Sequence, residues 1–185
     1  LPAKRSEEKG HHLIMNGITC KFGGTSLADA ACVRQVESII RSNAQRRLIV
    51  PSAPGKRHPD DKKITDLLMA WHNLAREGLD ASQVAGIIRE RFSELAKALG
   101  VNFDIQTELD AIEREAAAYA KPDFMASRGE YLNGRLIAEY LDAKFIDPAD
   151  CIKFDDEGNL NSATYESLGA CLKGDGLFVI PGFYG

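Results

Sequence analysis

The sequence predicts an α/β fold, with three α/β/α layers around a mostly parallel sheet and an inserted helical section. Two observations predict this fold class. Near the start, two short apolar runs flank a stretch with helical periodicity, which is the pattern of a β-α-β unit. Farther along, amphipathic helical segments are followed by a return of short β-like runs, so strands and helices share one unit.

The β-α-β unit begins with a short strand over Ile18–Phe22 that a pair of glycines ends. Between Leu27 and Ile40 apolar residues recur at close to the helical period, which predicts a helix. Ser26, with Asp29 three residues later, has the spacing of a helix cap. We therefore expect this helix to start directly after the glycines.

The remaining strands follow from short apolar runs bounded by turn residues. The second strand of the unit is predicted over Arg47–Ser52, and the strand-helix-strand order implies a parallel pair with a right-handed crossover. Later strands are predicted at Lys144–Asp147, Ile152–Phe154 and Leu177–Ile180. The last of these is the most apolar, and we expect it to be central in the sheet.

The inserted section lies between Lys63 and Ala143 and contains four predicted helices, separated by Gly78, Gly100 and Pro122. The predicted helices are Ile64–Arg76, Ser82–Leu99, Phe103–Ala120 and Ser127–Leu141. Their apolar stripes need the sheet or a neighbouring helix to cover them. We therefore expect these helices to pack against each other and against the sheet.

The composition excludes several classes of function. With 185 residues and 44% hydrophobic content, the chain is long enough for one sizeable core. A formal net charge of -4, with scattered basic residues, gives no general attraction to nucleic acid or anionic membranes. No run approaches the ~20 apolar residues of a membrane span and no signal-peptide core is present, so we expect a cytoplasmic protein.

The cysteines and the first residues offer no site. Cys20, Cys32, Cys151 and Cys171 form no CxxC pair and have no histidine at metal-ligand spacing, so we expect buried free thiols and no metal site. Residues 1–14 are polar and begin without Met, and we interpret them as a tag remnant or a flexible N-terminal extension.

The junction of strand, glycines and helix is a candidate anion site. Glycines let backbone N–H groups approach a phosphate closely, and a helix N-terminus adds a positive field. Lys21 places an ammonium beside Gly23 and Gly24, where it could neutralise charge on a transferring phosphate. Neither a P-loop nor GxGxxG is present, so the residues alone leave open a plain tight turn with an exposed lysine.

The run Lys21-Phe22-Gly23-Gly24-Thr25-Ser26 resembles the signature of aspartate kinases within the amino-acid kinase family. Three further stretches resemble this family in the expected order. They are Pro-Ser-Ala-Pro-Gly-Lys-Arg at 51–57 with Ile-Thr-Asp-Leu-Leu at 64–68, Ser-Arg-Gly-Glu at 127–130, and Val-Ile-Pro-Gly-Phe at 179–183. The resemblance implies an amino-acid-kinase-like fold in which residues 15–185 are the N-terminal portion of the catalytic domain.

For the phosphate side of the site, the resemblance implies that Lys21 is catalytic and holds the transferring phosphate. Gly23, Gly24 and Thr25 would line the phosphate cradle with it. The implied cofactors are ATP and Mg²⁺, and the Mg²⁺ ligands are expected in a segment beyond Gly185.

For the acceptor side, the resemblance implies that Ser52, Thr65 and Glu130 bind aspartate, the hydroxyls at a carboxylate and the acid at the α-ammonium group. Each position has an ordinary structural alternative. Ser52 fits a turn, Thr65 fits a helix N-cap, and Glu130 fits a helix start after Gly129. The lengthened loop between Ser52 and Thr65 carries a basic pair at 56–57, which either recruits the anionic substrate or is solvated.

The implied reaction is ATP-dependent phosphorylation of the L-aspartate β-carboxylate to 4-phospho-L-aspartate, the first step of lysine, threonine and methionine biosynthesis. L-Aspartate and ATP are then the expected partners, with no nucleic acid and no membrane, and the full-length protein is expected to be a homo-oligomer. The rest of the nucleotide-binding part and the regulatory ACT domains are expected beyond Gly185, so the 185-residue chain is expected to be inactive alone. Two alternatives stay open: a non-catalytic anion-binding or assembly domain, and a sister kinase with another amino-acid acceptor.

Overall fold

The computed structural model describes residues 17–117 and 121–183, and four parallel strands form its sheet in the order β1-β2-β4-β3. The strands are β1 (Ile18–Phe22), β2 (Arg46–Pro51), β3 (Lys144–Phe145) and β4 (Phe178–Val179). The predicted parallel sheet is thus confirmed, and β4 is central as expected. Because the strands are parallel, their carboxyl ends lie along one edge of the sheet, where ligands bind in open α/β folds.

Seven α-helices surround the sheet in the described part of the chain. They are α1 (Ala30–Arg41), α2 (Ile64–Arg76), α3 (Ser82–Leu99), α4 (Ile105–Ala117), α5 (Pro122–Leu141), α6 (Pro148–Cys151) and α7 (Ala163–Cys171). The bounds of α2 and α3 match the prediction. Residues 118–120, predicted as the end of the α4 helix, lie outside the described residues.

The junction after β1 differs from the prediction. A 3₁₀ turn spans Gly24–Leu27, and α1 begins only at Ala30. The prediction that Ser26 caps a helix starting directly after the glycines is wrong, because Asp29 is the cap and its carboxylate accepts a hydrogen bond from the Cys32 N–H. Asp29 has the extended backbone that a capping residue needs, whereas Ser26 lies inside the 3₁₀ turn.

The starts of α4 and α5 and one predicted strand also differ from the prediction, with α4 beginning at Ile105 instead of Phe103. Helix α5 begins at Pro122 rather than at Ser127, because a proline is well tolerated in the first turn of a helix and therefore starts α5 instead of separating it from α4. The predicted strand at Ile152–Phe154 is absent, since Ile152 ends α6 and Phe154 forms an isolated antiparallel bridge with Leu160 across a tight turn. Short apolar runs of this kind do not distinguish a sheet strand from a local hairpin.

The two faces of the sheet are covered by different helices. Ile49 and Val179, which are register partners on β2 and β4, lie in the main core with α1 to α5. Their neighbours Leu48 and Phe178 point to the other face and lie in a smaller cluster with α6 and α7. The α/β/α layering is therefore confirmed, although α6 and α7 were not predicted from the sequence.

The prediction of free thiols is confirmed for all four cysteines, and the prediction that they are buried is confirmed for one. All four are free, and only Cys151 is fully buried, while the other three are partly buried. No helix within residues 17–117 and 121–183 is long and apolar enough to cross a membrane.

Candidate active site

The ends of β1 and β2 bring the first two predicted site residues together. Lys21 and Val50 are register partners, so Ser52 follows β2 next to the end of β1. The Ser52 N–H donates to the Phe22 carbonyl at 3.0 Å, and the Lys21 ammonium donates to the Ser52 hydroxyl at 3.4 Å. A cation and a hydroxyl therefore lie side by side at the carboxyl edge of the sheet.

Glu130 reaches the same edge from α5. It lies in the interior of this helix and not at its start, so the helix-start alternative is wrong. Burial raises the pKa of the Glu130 carboxyl above its usual range, although N–H groups of Phe183 and Gly182, the charge of Lys21 and the hydroxyl of Ser52 act to lower it. Glu130 is therefore an acid held partly out of water, next to both Lys21 and Ser52.

The glycine turn after β1 rests directly on the turn after β2. The Gly55 N–H donates to the Gly24 carbonyl at 2.8 Å. A Cβ on Gly24 would lie 2.8 Å from the Ala53 carbonyl oxygen, and a Cβ on Gly55 would lie 2.5 Å from the Gly24 carbonyl carbon. Gly24 and Gly55 are therefore required by the close approach of two backbones.

Gly23 differs from Gly24 in this respect. Its backbone is extended, with φ at -76° and ψ at 164°, and a Cβ there would meet nothing within 4 Å. Neither backbone strain nor packing in the described residues requires a glycine at this position. Open space over Gly23, next to the exposed Thr25, leaves room for a ligand to approach the backbone.

Thr65 is the predicted site residue that α2 carries. It lies in the first turn of α2, after the N-cap residue Lys63, so the N-cap alternative is wrong. Its neighbour Ile64 faces Gly129, where a Cβ would lie 3.2 Å from the Ile64 methyl group. No hydrogen bond from the Thr65 side chain to Lys21, Ser52 or Glu130 occurs among residues 17–117 and 121–183.

Sequence reasoning missed Asn133, which is fully buried beside this site. Its side-chain amide donates to the Ser52 carbonyl at 2.6 Å, while its own Oδ1 has no hydrogen-bond partner among residues 17–117 and 121–183. Asn133 follows Glu130 by three residues on α5, and the i, i+3 spacing places both on one helix face. The i, i+3 spacing from Glu130 is the sequence signal that could have identified Asn133 as a site residue.

The basic pair at 56–57 is engaged locally. Lys56 donates to the Pro59 carbonyl at 3.0 Å, and Arg57 forms ion pairs with Asp61 at 3.0 Å and with Glu94 at 2.8 Å. These contacts use the charge of Arg57 within its own loop and α3. The pair therefore does not point toward Lys21 as a free cationic patch.

The described residues offer no set of metal ligands. No group of three or more His, Cys, Asp or Glu side chains that could hold a metal ion occurs within residues 17–117 and 121–183. Glu130, the acid that interacts with Lys21 and Ser52, is already engaged by N–H and hydroxyl donors. The donor set of this half-site suits an anion and an ammonium group better than a resident cation.

Comparison with known proteins agrees with this architecture. The amino acid kinase family matches residues 18–185, which is most of the chain. The chain belongs to the amino acid kinase family. Within it, aspartokinase 3 of Bacillus subtilis (strain 168) is 32% identical over 182 residues, covering 89% of this chain and 40% of the relative. The aspartokinase of Chlamydia muridarum (strain MoPn / Nigg) is 31% identical over 133 residues, covering 70% of this chain and 28% of the relative.

Solved structures give the same result for the fold. The crystal structure of Clostridium acetobutylicum aspartate kinase superimposes with a TM-score of 0.84 at 42% identity, covering 89% of this chain and 38% of that one. The R-state structure of E. coli aspartokinase III with aspartate and ADP gives a TM-score of 0.69 at 25% identity, covering 88% of this chain and 39% of that one. The resemblance to aspartate kinases is confirmed, and the chain spans about 40% or less of each relative's length.

Proposed function

We propose that this chain forms the aspartate- and phosphate-binding part of an aspartate kinase. The enzyme would transfer the γ-phosphoryl group of ATP to the β-carboxylate of L-aspartate, giving ADP and 4-phospho-L-aspartate. The observation that carries the proposal is the convergence of Lys21, Ser52 and Glu130 beside the open backbone at Gly23. Similarity to aspartokinases over most of the chain supports the choice of acceptor.

The acid of the site supports an acceptor with a free α-amine. Burial makes ionisation of Glu130 costly, as its raised pKa reports. A substrate ammonium beside this carboxylate would compensate the buried charge and form a charge-assisted hydrogen bond. The Ser52 hydroxyl, whose single proton is donated to Glu130 in this structure, would donate to a substrate carboxylate once the substrate ammonium takes its place at Glu130.

The cation of the site supports phosphoryl transfer. Little covalent chemistry falls to the protein in this reaction, so positioning and charge stabilisation dominate. The Lys21 ammonium would neutralise charge on the transferring phosphate, while N–H groups at Gly23, Gly24 and Thr25 would hold its oxygens. Open space over Gly23 fits a phosphate approaching the backbone, and ATP would supply the transferred group.

Residues 17–117 and 121–183 contain no group of three or more His, Cys, Asp or Glu side chains that could hold Mg²⁺ without the substrate phosphates. In kinases Mg²⁺ is held largely by substrate phosphates, with one or two carboxylates. With the proposed activity, the protein would act in the cytoplasm at the first step of lysine, threonine and methionine biosynthesis. We further propose a homo-oligomeric full-length protein, with nucleotide-binding and regulatory segments beyond residues 15–185.

The decisive experiment is an acceptor comparison with the full-length protein that contains this chain. Purified protein with Mg²⁺ and ATP is offered aspartate, glutamate or N-acetylglutamate, and the acyl phosphate is trapped with hydroxylamine. We expect hydroxamate formation with aspartate at least about a hundredfold above N-acetylglutamate, which leaves the buried Glu130 without an ammonium partner, and at least about tenfold above glutamate, which is longer by one methylene. Equal or faster reaction with another acceptor identifies a sister kinase and overturns the proposal.

The same protein tests the non-catalytic alternative. Isothermal titration measures binding of aspartate and of ATP with Mg²⁺, independently of turnover. Binding of both ligands together with hydroxamate formation supports the kinase. A folded protein that binds neither ligand and forms no hydroxamate is an assembly domain, and the proposal is then wrong.

A further inference from the structure

A buried arginine on α3 is connected to the glycine turn that follows β1. Arg91 is 5% exposed, and its Nη2 donates to the Gly55 carbonyl. Gly55 in turn donates from its N–H to the Gly24 carbonyl at 2.8 Å. One residue thus lies between the guanidinium of Arg91 and the backbone that the proposed function assigns to phosphate.

The connection is stiff at both ends. A Cβ on Gly55 would lie 2.6 Å from the Gly24 carbonyl oxygen and 2.8 Å from the Thr25 nitrogen, so no side chain separates the two backbones. Any shift of Gly55 must therefore move Gly24 or Thr25. On the other side, α3 is anchored in the core by Ile88 and Phe92, both of which are fully buried.

An ion pair fixes the guanidinium itself. Arg91 Nη1 lies 2.7 Å from Asp61 Oδ2, and both side chains are nearly inaccessible to water. Asp61 also accepts from the N–H and the Nε of Arg57, at 2.9 and 3.0 Å. The loop from Gly55 to Asp61 is therefore closed on Arg91 at its two ends.

We infer that Arg91 is a positioning residue of the kinase reaction: paired with Asp61, it holds Gly55 and thereby orients the Gly24–Thr25 backbone toward the nucleotide phosphates. This inference rests on the proposed function for its consequence in catalysis. Arg91 itself touches no substrate. It acts by fixing N–H groups that must be in place before the phosphate arrives, and displacements of a fraction of an ångström matter in such sites.

The geometry also explains why arginine is needed. The planar guanidinium offers separate N–H donors to Gly55 and Asp61 at once, in a fixed fork. A lysine at this position keeps the charge, but its three N–H donors lie on one nitrogen and cannot reproduce this fork. Substitution by lysine should therefore preserve part of the ion pair and lose the orientation of Gly55.

The test compares Arg91→Met and Arg91→Lys with Arg89→Met, an exposed arginine on the same helix. In the full-length protein we expect Arg91→Met to raise KM for ATP about tenfold or more, with KM for aspartate within about twofold of the wild type. Arg91→Lys should be intermediate, and Arg89→Met unchanged. Equal rises in both KM values, or wild-type KM for ATP in the Arg91 variants, overturn the inference.

A second readout does not depend on activity. Hydrogen exchange of peptides covering residues 22–30 should be about fivefold or more faster in Arg91→Lys, and in Asp61→Asn, than in Arg89→Met. These two milder variants keep the test decisive where Arg91→Met does not fold. Exchange equal to the control overturns the inference. If the wild type forms no acyl phosphate, the proposed kinase function falls, and exchange alone then decides whether Arg91 positions this turn.

Discussion

The Lys21 ammonium lies 3.4 Å from the Ser52 hydroxyl, so a single hydroxyl separates the cation of the site from the Glu130 carboxylate on α5. The two charges do not form a direct ion pair among the described contacts. Each is therefore available to a charged group of a ligand on its own side. Such a separation suits a reaction in which an anionic phosphate and an ammonium-bearing acceptor lie next to each other.

Replacing Lys21 tests the phosphate side of this arrangement. We expect Lys21→Met to lower kcat by a factor of about 10²–10³, because a preorganised charge at the transferring group is lost. The side chain is exposed, so the unfolding free energy should change by about 0.5 kcal/mol or less. Steady-state kinetics of acyl phosphate formation and urea unfolding provide the two measurements.

The control for Lys21→Met is Lys173→Met, an exposed lysine in the loop before β4, at the opposite edge of the sheet. Its kcat should equal that of the wild type. If the two variants lose activity alike, the effect comes from general charge and not from the position of Lys21.

The two glycines of the turn should respond in opposite ways to alanine. Gly24→Ala places a Cβ against the Ala53 carbonyl and should destabilise the fold by about 1–3 kcal/mol. Gly23→Ala meets open space with a permitted backbone, so its stability should be equal or up to about 1 kcal/mol higher. Urea unfolding distinguishes them.

Gly23→Ala should keep the stability of the fold but lose affinity for ATP. A methyl group there occupies the space that we assign to a phosphate, so Gly23→Ala should weaken ATP binding about tenfold or more despite its intact fold. Calorimetric titration with ATP measures this directly. Unchanged affinity in this variant would exclude the Gly23 backbone from the phosphate site.

The sequence predicted the regular elements well and their junctions poorly. Periodicity located α2 and α3, because the apolar faces of these helices are long enough to reveal their period, while the glycine pair that ends β1 located that strand. The 3₁₀ turn at Gly24–Leu27 was missed, since four residues carry no period and the cap depends on backbone conformation. The hairpin around Phe154 was missed for the same reason, because a single isolated bridge to Leu160 leaves no periodic pattern in the sequence.

Residue types and order predicted candidates for the site but not its internal contacts. Lys21 and Glu130 were identified through motif resemblance, and their assigned roles stay predictions. The contribution of Gly182 and Phe183 comes from backbone N–H groups, which every residue other than proline possesses, so no side-chain pattern marks it. The sequence does not distinguish Arg91 from an ordinary helix arginine, because its burial against Gly55 arises only from tertiary packing.

Replacing Asn133 should lower the stability of the fold and weaken the binding of aspartate. Asn133→Ala removes the amide that donates to the Ser52 carbonyl and leaves that carbonyl without this partner. We expect a loss of about 1–3 kcal/mol in unfolding free energy and a several-fold rise in KM for aspartate. Asn73→Ala, an exposed position on α2, is the control, and equal effects in both variants would deny Asn133 a place beside the site.

Glu130 should strengthen aspartate binding while lowering the unfolding free energy, and the second effect should depend on pH. Because burial raises its pKa in the folded state, the folded protein binds the proton more tightly than the unfolded chain, so this contribution to stability is lost as pH rises from about 4.5. At pH 7 Glu130→Gln should therefore be more stable than the wild type, and the difference should vanish toward pH 4. Its KM for aspartate should rise about tenfold or more, since the ammonium loses its carboxylate. Urea unfolding across this pH range, with the exposed Glu139→Gln as control, decides the sign. A less stable Glu130→Gln at pH 7 would mean that Glu130 is a structural acid and not a site held ready for an ammonium.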